Sequence, residues 1–253
     1  MLGSTVQVTM PDGMADAYLA RPDDSGSQPG VLFIIDAFGL RPRIEEMADR
    51  IAAQGYVVLA PNVFYRSGRP STEPLPDLTS PEARKDFFDN LRPMMEALTP
   101  ERVAEDGGAY LAYLGERARG PFGITGYCMG ARLALGIAEA HPEHVAAVGG
   151  FHGGRLVSDD PASPHRSLKN IQAELYFGFA DQDQSMTREQ IDMLEQALDE
   201  AGIRHRTEVY DGAIHGYTMS DTPAYDETAS ERHFSALFAL LERTLQRPRA
   251  TQA

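Results

Sequence analysis

The stretch Gly123–Leu135, GITGYCMGARLAL, contains the chain's single cysteine, Cys128. An apolar run leads into it and a helical pattern follows. At its centre, Gly126-Tyr127-Cys128-Met129-Gly130 has the form Gly-x-Cys-x-Gly. A strand that turns abruptly into a helix can present one side chain at the tip of the turn. The residues two before and two after must then be tiny, because the turn presses them against adjoining backbone. Gly126 and Gly130 meet that demand, and Ala131 is small as well. The helix N-terminus also places partial positive charge beside Cys128, which favours the thiolate. A lone cysteine is ordinarily a small buried hydrophobe. What separates the two readings is whether a base and an acid occur where a nucleophile at such a turn needs them.

Outward from this turn the chain alternates strand and helix patterns. TVQVTM and MADAYLARP flank Pro11-Asp12-Gly13 and read as an antiparallel hairpin. GVLFIIDAFG and YVVLAPNVF are continuous apolar runs, as expected of parallel strands covered on both faces. PFGITGYC, VAAVGGFH, AELYFGFAD and RHRTEVYDG supply further strands. Helical spacing runs over 43–54, 81–97, 100–118, Met129 to about Ala140, 187–201 and 225–246. This alternation predicts an α/β chain, a mostly parallel sheet with helices on both faces, in one domain spanning residues 1–253. The Pro- and Ser-rich segment 63–80 reads as a lid or binding loop, and 247–253 as a disordered tail.

Composition narrows the function. A net charge of -14 over 253 residues argues against nucleic-acid and anionic-membrane binding, both of which need clustered cations. The N-terminus lacks the layout of a signal peptide. No apolar run approaches the ~20 residues that span a bilayer. A cytoplasmic protein, monomeric or homodimeric, is expected. One cysteine excludes an intrachain disulfide and a multi-cysteine metal site.

Acid and base should lie at the C-terminal ends of strands. AELYFGFAD ends at Asp181, and RHRTEVYDGAIHG reaches His215, giving the order nucleophile, acid, histidine. Asp183 competes with Asp181, which is preferred because it directly follows the apolar strand. His152 ends VAAVGGFH and is a candidate pocket residue. His141, His144, His165, His205 and His233 read as solvated helix-end, loop or strand positions. In this arrangement His215 takes the proton of Cys128 and Asp181 fixes the imidazole. The thiolate attacks an ester or lactone carbonyl. The backbone N–H groups of Met129 and of Ala37, after VLFIID, stabilise the oxyanion.

GYCMGA, GFAD and HGY, together with DAFGL and the following GYVVLAPNVFYR, resemble the dienelactone hydrolase family, the cysteine-dependent branch of the α/β-hydrolase fold. The resemblance covers roughly residues 5–246. It implies a Cys128–Asp181–His215 triad that hydrolyses a lactone or ester without a cofactor, through a thioacyl-enzyme. It also implies a small-molecule pocket bordered by Asp36, Phe38, Tyr127, His152, Tyr217 and Met219. Two positions depart from the family. A family glutamate that contacts the resting nucleophile corresponds to Asp36, which is expected near the thiol. A family arginine that grips the substrate carboxylate corresponds to Met219, a soft apolar wall that favours neutral substrates. Arg66 and Arg69 in the 63–80 loop are the alternative grips. A non-catalytic binding protein on the same fold is the rival reading. A thiol redox protein would want a resolving cysteine, which the chain lacks.

Overall fold

Nine residues of β1 (Leu2–Met10) pair antiparallel with β2 (Gly13–Arg21), the two closing at Met10 and Gly13, where the glycine takes φ 140°. This computed structural model describes residues 2–22, 27–70 and 80–246. Half of the expected lid, 71–79, and the expected tail, 247–253, lie outside the described residues.

The parallel strands are β3 (Pro29–Ile34), β4 (Val57–Pro61), β5 (Arg119–Tyr127), β6 (Val145–Phe151), β7 (Glu174–Gln182) and β8 (His205–Ile214). All eight strands form one sheet in the order β1-β2-β4-β3-β5-β6-β7-β8, and only the β1–β2 and β2–β4 pairs are antiparallel. This is the α/β-hydrolase fold. Every residue of β3 and of β4 is buried, because helices cover both faces of the sheet and leave no wet side for polar alternation.

The covering helices are α1 (Pro42–Ala52), α2 (Pro81–Glu96), α3 (Pro100–Gly115), α4 (Met129–Ala140), α5 (Arg188–Glu200) and α6 (Glu227–Leu241). In α1, Ile44, Met47, Ala48, Ile51 and Ala52 form the buried stripe that the sequence spacing predicts. Several bounds differ from the pattern. The apolar run after Gly30 stops being strand at Ile34, since Asp36 turns the chain by accepting the Phe38 N–H on its side chain and the Gly39 N–H on its carbonyl. The last helix starts at Glu227, where Asp226 caps it through the Ala229 N–H.

The strand order places β5 between β3 and β6, so the turn after β5 lies among the ends of its neighbours. A methyl group at Gly126 would lie 2.3 Å from the Gly130 carbonyl oxygen, and one at Gly130 would lie 2.4 Å from the Ile34 oxygen. Both obstacles are backbone, so they cannot swing aside. Gly130→Ala should therefore destabilise the chain by about 1–3 kcal/mol, read as a lower urea midpoint at unchanged m-value. An unchanged midpoint would show that the turn is not as tight as this contact requires.

Candidate active site

Cys128 occupies the tip of the turn with φ 54° and ψ -117°, a left-handed conformation held by the surrounding structure. Its N–H donates to the Phe151 carbonyl at 3.1 Å, tying the turn to β6. The side chain is half-buried, and Sγ lies 2.9 Å from Nε2 of His215. His215 follows β8 directly. The structure thus brings together the cysteine and the histidine that the sequence selects.

The acidic partner differs from the expectation. Nδ1 of His215 meets Oδ2 of Asp183 at 2.6 Å, and Asp181 plays no part in that contact. The strand explains the correction. β7 runs on to Gln182, which pairs with Ile214 after a register shift, so Asp181 is still a strand residue. Its side chain is exposed and accepts the Gly212 N–H at 3.2 Å. Asp183 is the first residue beyond the strand. Its side chain is only 4% exposed and accepts the Ser185 N–H and hydroxyl at 2.8 and 2.7 Å. Ser185 was not singled out by the sequence; its Oγ also lies 3.3 Å from Nδ1 of His215.

The electrostatics follow from this geometry. Burial disfavours a charged His215. The charge on Cys128 and the hydrogen bond and charge of Asp183 outweigh it, and the imidazole is raised to about 10. Burial would raise the Asp183 carboxyl, but the hydrogen bond and charge of His215 and the Ser185 hydrogen bonds hold it below the ordinary range. The protonated imidazole of His215 is the form these charges favour.

Asp36 does not meet the thiol among the contacts formed. It is 2% exposed and grips Arg41 through two hydrogen bonds, Nη1 to Oδ1 at 2.7 Å and Nη2 to Oδ2 at 3.0 Å. Arg41 reaches on to Asp221 at 2.6 Å from Nε. The shorter aspartate stem thus ends in an ion pair that braces the 36–40 turn. Neither the Ala37 N–H nor the Met129 N–H has an acceptor among the described residues, which leaves both free for a ligand oxygen. Arg41→Met would strand a buried carboxylate and should cost about 3–5 kcal/mol of stability by urea unfolding. A loss below about 1 kcal/mol would mean Asp36 finds another partner or takes up a proton.

The remaining pocket candidates divide. Phe38 is half-buried, with its ring 5.3 Å from Phe87 and the Arg41 guanidinium 5.2 Å away. His152 is 1% exposed, hydrogen-bonded to Thr218 at 2.8 Å and edge-on to His215 at 5.3 Å. Burial, with the nearby His215 and His233, keeps it neutral and far below its ordinary range. Tyr127 is a correction: its ring stacks on Phe33 and Phe151 inside the core, and its hydroxyl meets His233 at 3.1 Å. It precedes the turn, so the strand's alternation points it away from the side that Cys128 presents. Tyr217 is likewise fully buried and donates to the Gly178 carbonyl at 3.0 Å. Met219 is 1% exposed and belongs to the core cluster. His233, expected on the surface, is fully buried on α6. Arg66 is held by Asp106 and Asp12, and Arg69 by Asp16, so both alternative grips are occupied.

A tight turn carrying a cysteine after β5, a carboxylate after β7 and a histidine after β8, in contact with one another, sit on the α/β-hydrolase fold where its functional residues collect. Residues 15–245 match the Dienelactone hydrolase family, and the chain belongs to that family of hydrolases. A carboxymethylenebutenolidase of Rhodococcus opacus is 28% identical over 215 residues, covering 84% of this chain and 80% of that protein. A crystal structure from Klebsiella pneumoniae subsp. pneumoniae superposes with TM-score 0.82 at 20% identity, over 96% of this chain and 98% of the other. The dienelactone hydrolase of Anabaena variabilis superposes with TM-score 0.66, also at 20% identity and the same coverage. At these identities the two structures speak for the fold alone. Among the described residues no helix is long and apolar enough to cross a membrane.

Proposed function

We propose that the chain hydrolyses small esters or lactones through a thioacyl-enzyme on Cys128. The single observation that carries this is the unbroken line of contacts from Sγ through His215 to Asp183, at 2.9 and 2.6 Å. The Cys128 thiolate attacks the carbonyl carbon, and the carbonyl π electrons move onto its oxygen. The N–H groups of Met129 and Ala37 receive that oxyanion. Collapse re-forms the carbonyl and breaks the carbon–oxygen bond of the ester, while the His215 imidazolium gives its proton to the departing alkoxide. The now neutral His215 takes a proton from water as that water attacks the thioester. The thiolate leaves, His215 remains protonated, and the carboxylic acid product departs. Asp183 holds the Nδ1–H tautomer throughout and stabilises the imidazolium.

The family and the Rhodococcus opacus enzyme's name support a lactone as one substrate type. Because Asp36 is engaged by Arg41, nucleophile and base already meet without a ligand. The test is a kinetic screen of lactones, aryl esters and dienelactones against wild type and Cys128→Ala. Turnover of at least one class that vanishes in the variant supports the reading. Binding without turnover across the screen would favour the non-catalytic alternative.

A further inference from the structure

Two separate turns must stay in register for the chemistry proposed above. One is the 36–40 turn after β3, which carries the Ala37 N–H. The other is the run 215–226 between β8 and α6, which begins with His215. They are far apart in sequence, and the side chain of Arg41 joins them. Arg41 donates from Nη1 to Oδ1 of Asp36 at 2.7 Å and from Nη2 to Oδ2 at 3.0 Å, and Nη1 also reaches the Gly39 carbonyl at 3.2 Å. Its other edge meets Asp221, with Nε to Oδ2 at 2.6 Å and Nη2 to Oδ1 at 3.3 Å. Every nitrogen of the guanidinium is thus engaged, on one side by the Ala37 turn and on the other by the histidine run.

The histidine run is stiff enough to carry that tie back to His215. The Tyr217 N–H donates to the Ile214 carbonyl at 3.2 Å, the Met219 N–H to Gly216 at 2.9 Å and the Thr222 N–H to Met219 at 3.0 Å, a succession of turns from the end of β8 past Asp221. A second tie lies beside the first: Arg43, in the first turn of α1, donates from Nη2 to the Thr218 carbonyl at 2.7 Å. Stability alone accounts poorly for the arrangement at Arg41. One guanidinium, 5% exposed, meets two carboxylates, and dehydrating such groups offsets much of what their attraction contributes. A well-packed apolar group of similar volume often serves stability as well. What an apolar group does not supply is a fixed direction and length between two turns.

We propose that Arg41 is a positioning residue that ties the Ala37 turn to the His215 run through Asp221. The tie keeps the oxyanion donor in register with the nucleophile and base. The inference rests on the hydrolytic reading and adds to it. Arg41 acts through Ala37 and meets no reacting atom, and the carbonyl oxygen of the substrate finds the Ala37 N–H only while the turn is held.

Asp221 is the place to cut the tie, because its side chain is partly exposed and its loss leaves Asp36 paired with Arg41. Asp221→Ala and Asp221→Asn are compared with wild type in three measurements. These are kcat and KM for the best ester or lactone, the iodoacetamide alkylation rate of Cys128, and the affinity of Cys128 for an aryl trifluoromethyl ketone by fluorine NMR. In the last of these the thiolate adds to the carbonyl carbon and the carbonyl electron pair moves onto oxygen. The adduct therefore reads the oxyanion donors without any turnover. In Asp221→Ala, kcat and the ketone affinity should each fall roughly 10- to 100-fold, as for a misplaced catalytic group, with KM and alkylation within about twofold. Asp221→Asn keeps an acceptor for Nε and should recover part of both losses. Unchanged ketone affinity in Asp221→Ala overturns the positioning role, whatever kcat does. An alkylation rate that falls as far as kcat also overturns it, because the whole site would then have loosened. Adduct formation without hydrolysis in wild type overturns the hydrolytic reading, and the ketone affinity of Asp221→Ala then decides the positioning role alone. Wild type that neither hydrolyses nor forms the adduct overturns both.

Discussion

Cys128→Ala is expected to lower kcat/KM for the best ester or lactone by roughly 10⁴-fold or more, with the unfolding midpoint nearly unchanged. The first half follows from the site: Sγ is the atom in contact with His215, and no other thiol exists to replace it. What survives is the pair of N–H groups of Met129 and Ala37 proposed to receive the oxyanion, which would still position a substrate for slow attack by water. The second half follows from position. The side chain is small and half-buried at the tip of a turn, so its loss opens little cavity. Near wild-type hydrolysis in the variant would end the thioacyl mechanism. A collapsed unfolding midpoint would instead assign Cys128 a packing role that its exposure does not suggest.

The expected size of that effect depends on the resting state of the nucleophile. The family resemblance places a carboxylate against the thiol, at the position of Asp36. Here that carboxylate is turned away by Arg41, five residues on, and held in a buried pair that Asp221 completes. Cys128 is therefore left facing His215, whose proton is stabilised by its neighbours Cys128 and Asp183. A site built this way needs no rearrangement before it reacts. The Asp36 carboxylate instead braces the 36–40 turn, which carries the Ala37 N–H.

Much of this was written locally in the sequence. Strands β3 and β4 are buried on both faces and therefore read as unbroken apolar runs. The turn reads because two glycines sit where only hydrogen fits, and the distances at Gly126 and Gly130 show why. Failures occur where the decisive contact is between strands or across the turn. Asp181 ends an apolar run, but β7 is carried one residue further by pairing with β8, and the register shift that selects Asp183 has no signature in either strand alone. Tyr127 borders the nucleophile in sequence, yet strand alternation sends its ring into the core. His233 reads as a polar residue of a surface helix and is buried because Tyr127 offers it a hydroxyl.

The acid assignment gives the sharpest remaining test, because two aspartates two residues apart are expected to behave oppositely. Asp183→Asn should reduce kcat/KM by an amount approaching roughly 10⁴-fold, since an amide facing Nδ1 no longer fixes the tautomer or balances the imidazolium. Asp181→Asn removes an exposed acceptor of the Gly212 N–H and should change activity less than about threefold, within the effect of an ordinary surface substitution. The pH profile adds a second, independent sign. His215 is raised to about 10, so it keeps its proton through neutral pH and loses it only on the alkaline side. Protonation of the leaving alkoxide needs that proton, so the wild-type kcat/KM profile should hold its plateau into the alkaline range and fall as the pH approaches 10. Removing the Asp183 charge takes away a cause of the upward shift; the residual activity of Asp183→Asn should therefore fall at lower pH than wild type. Asp181→Asn should leave the limb in place. Were the severe loss and the displaced limb to appear in Asp181→Asn instead, the 2.6 Å contact between Asp183 and His215 would not be the one the enzyme uses.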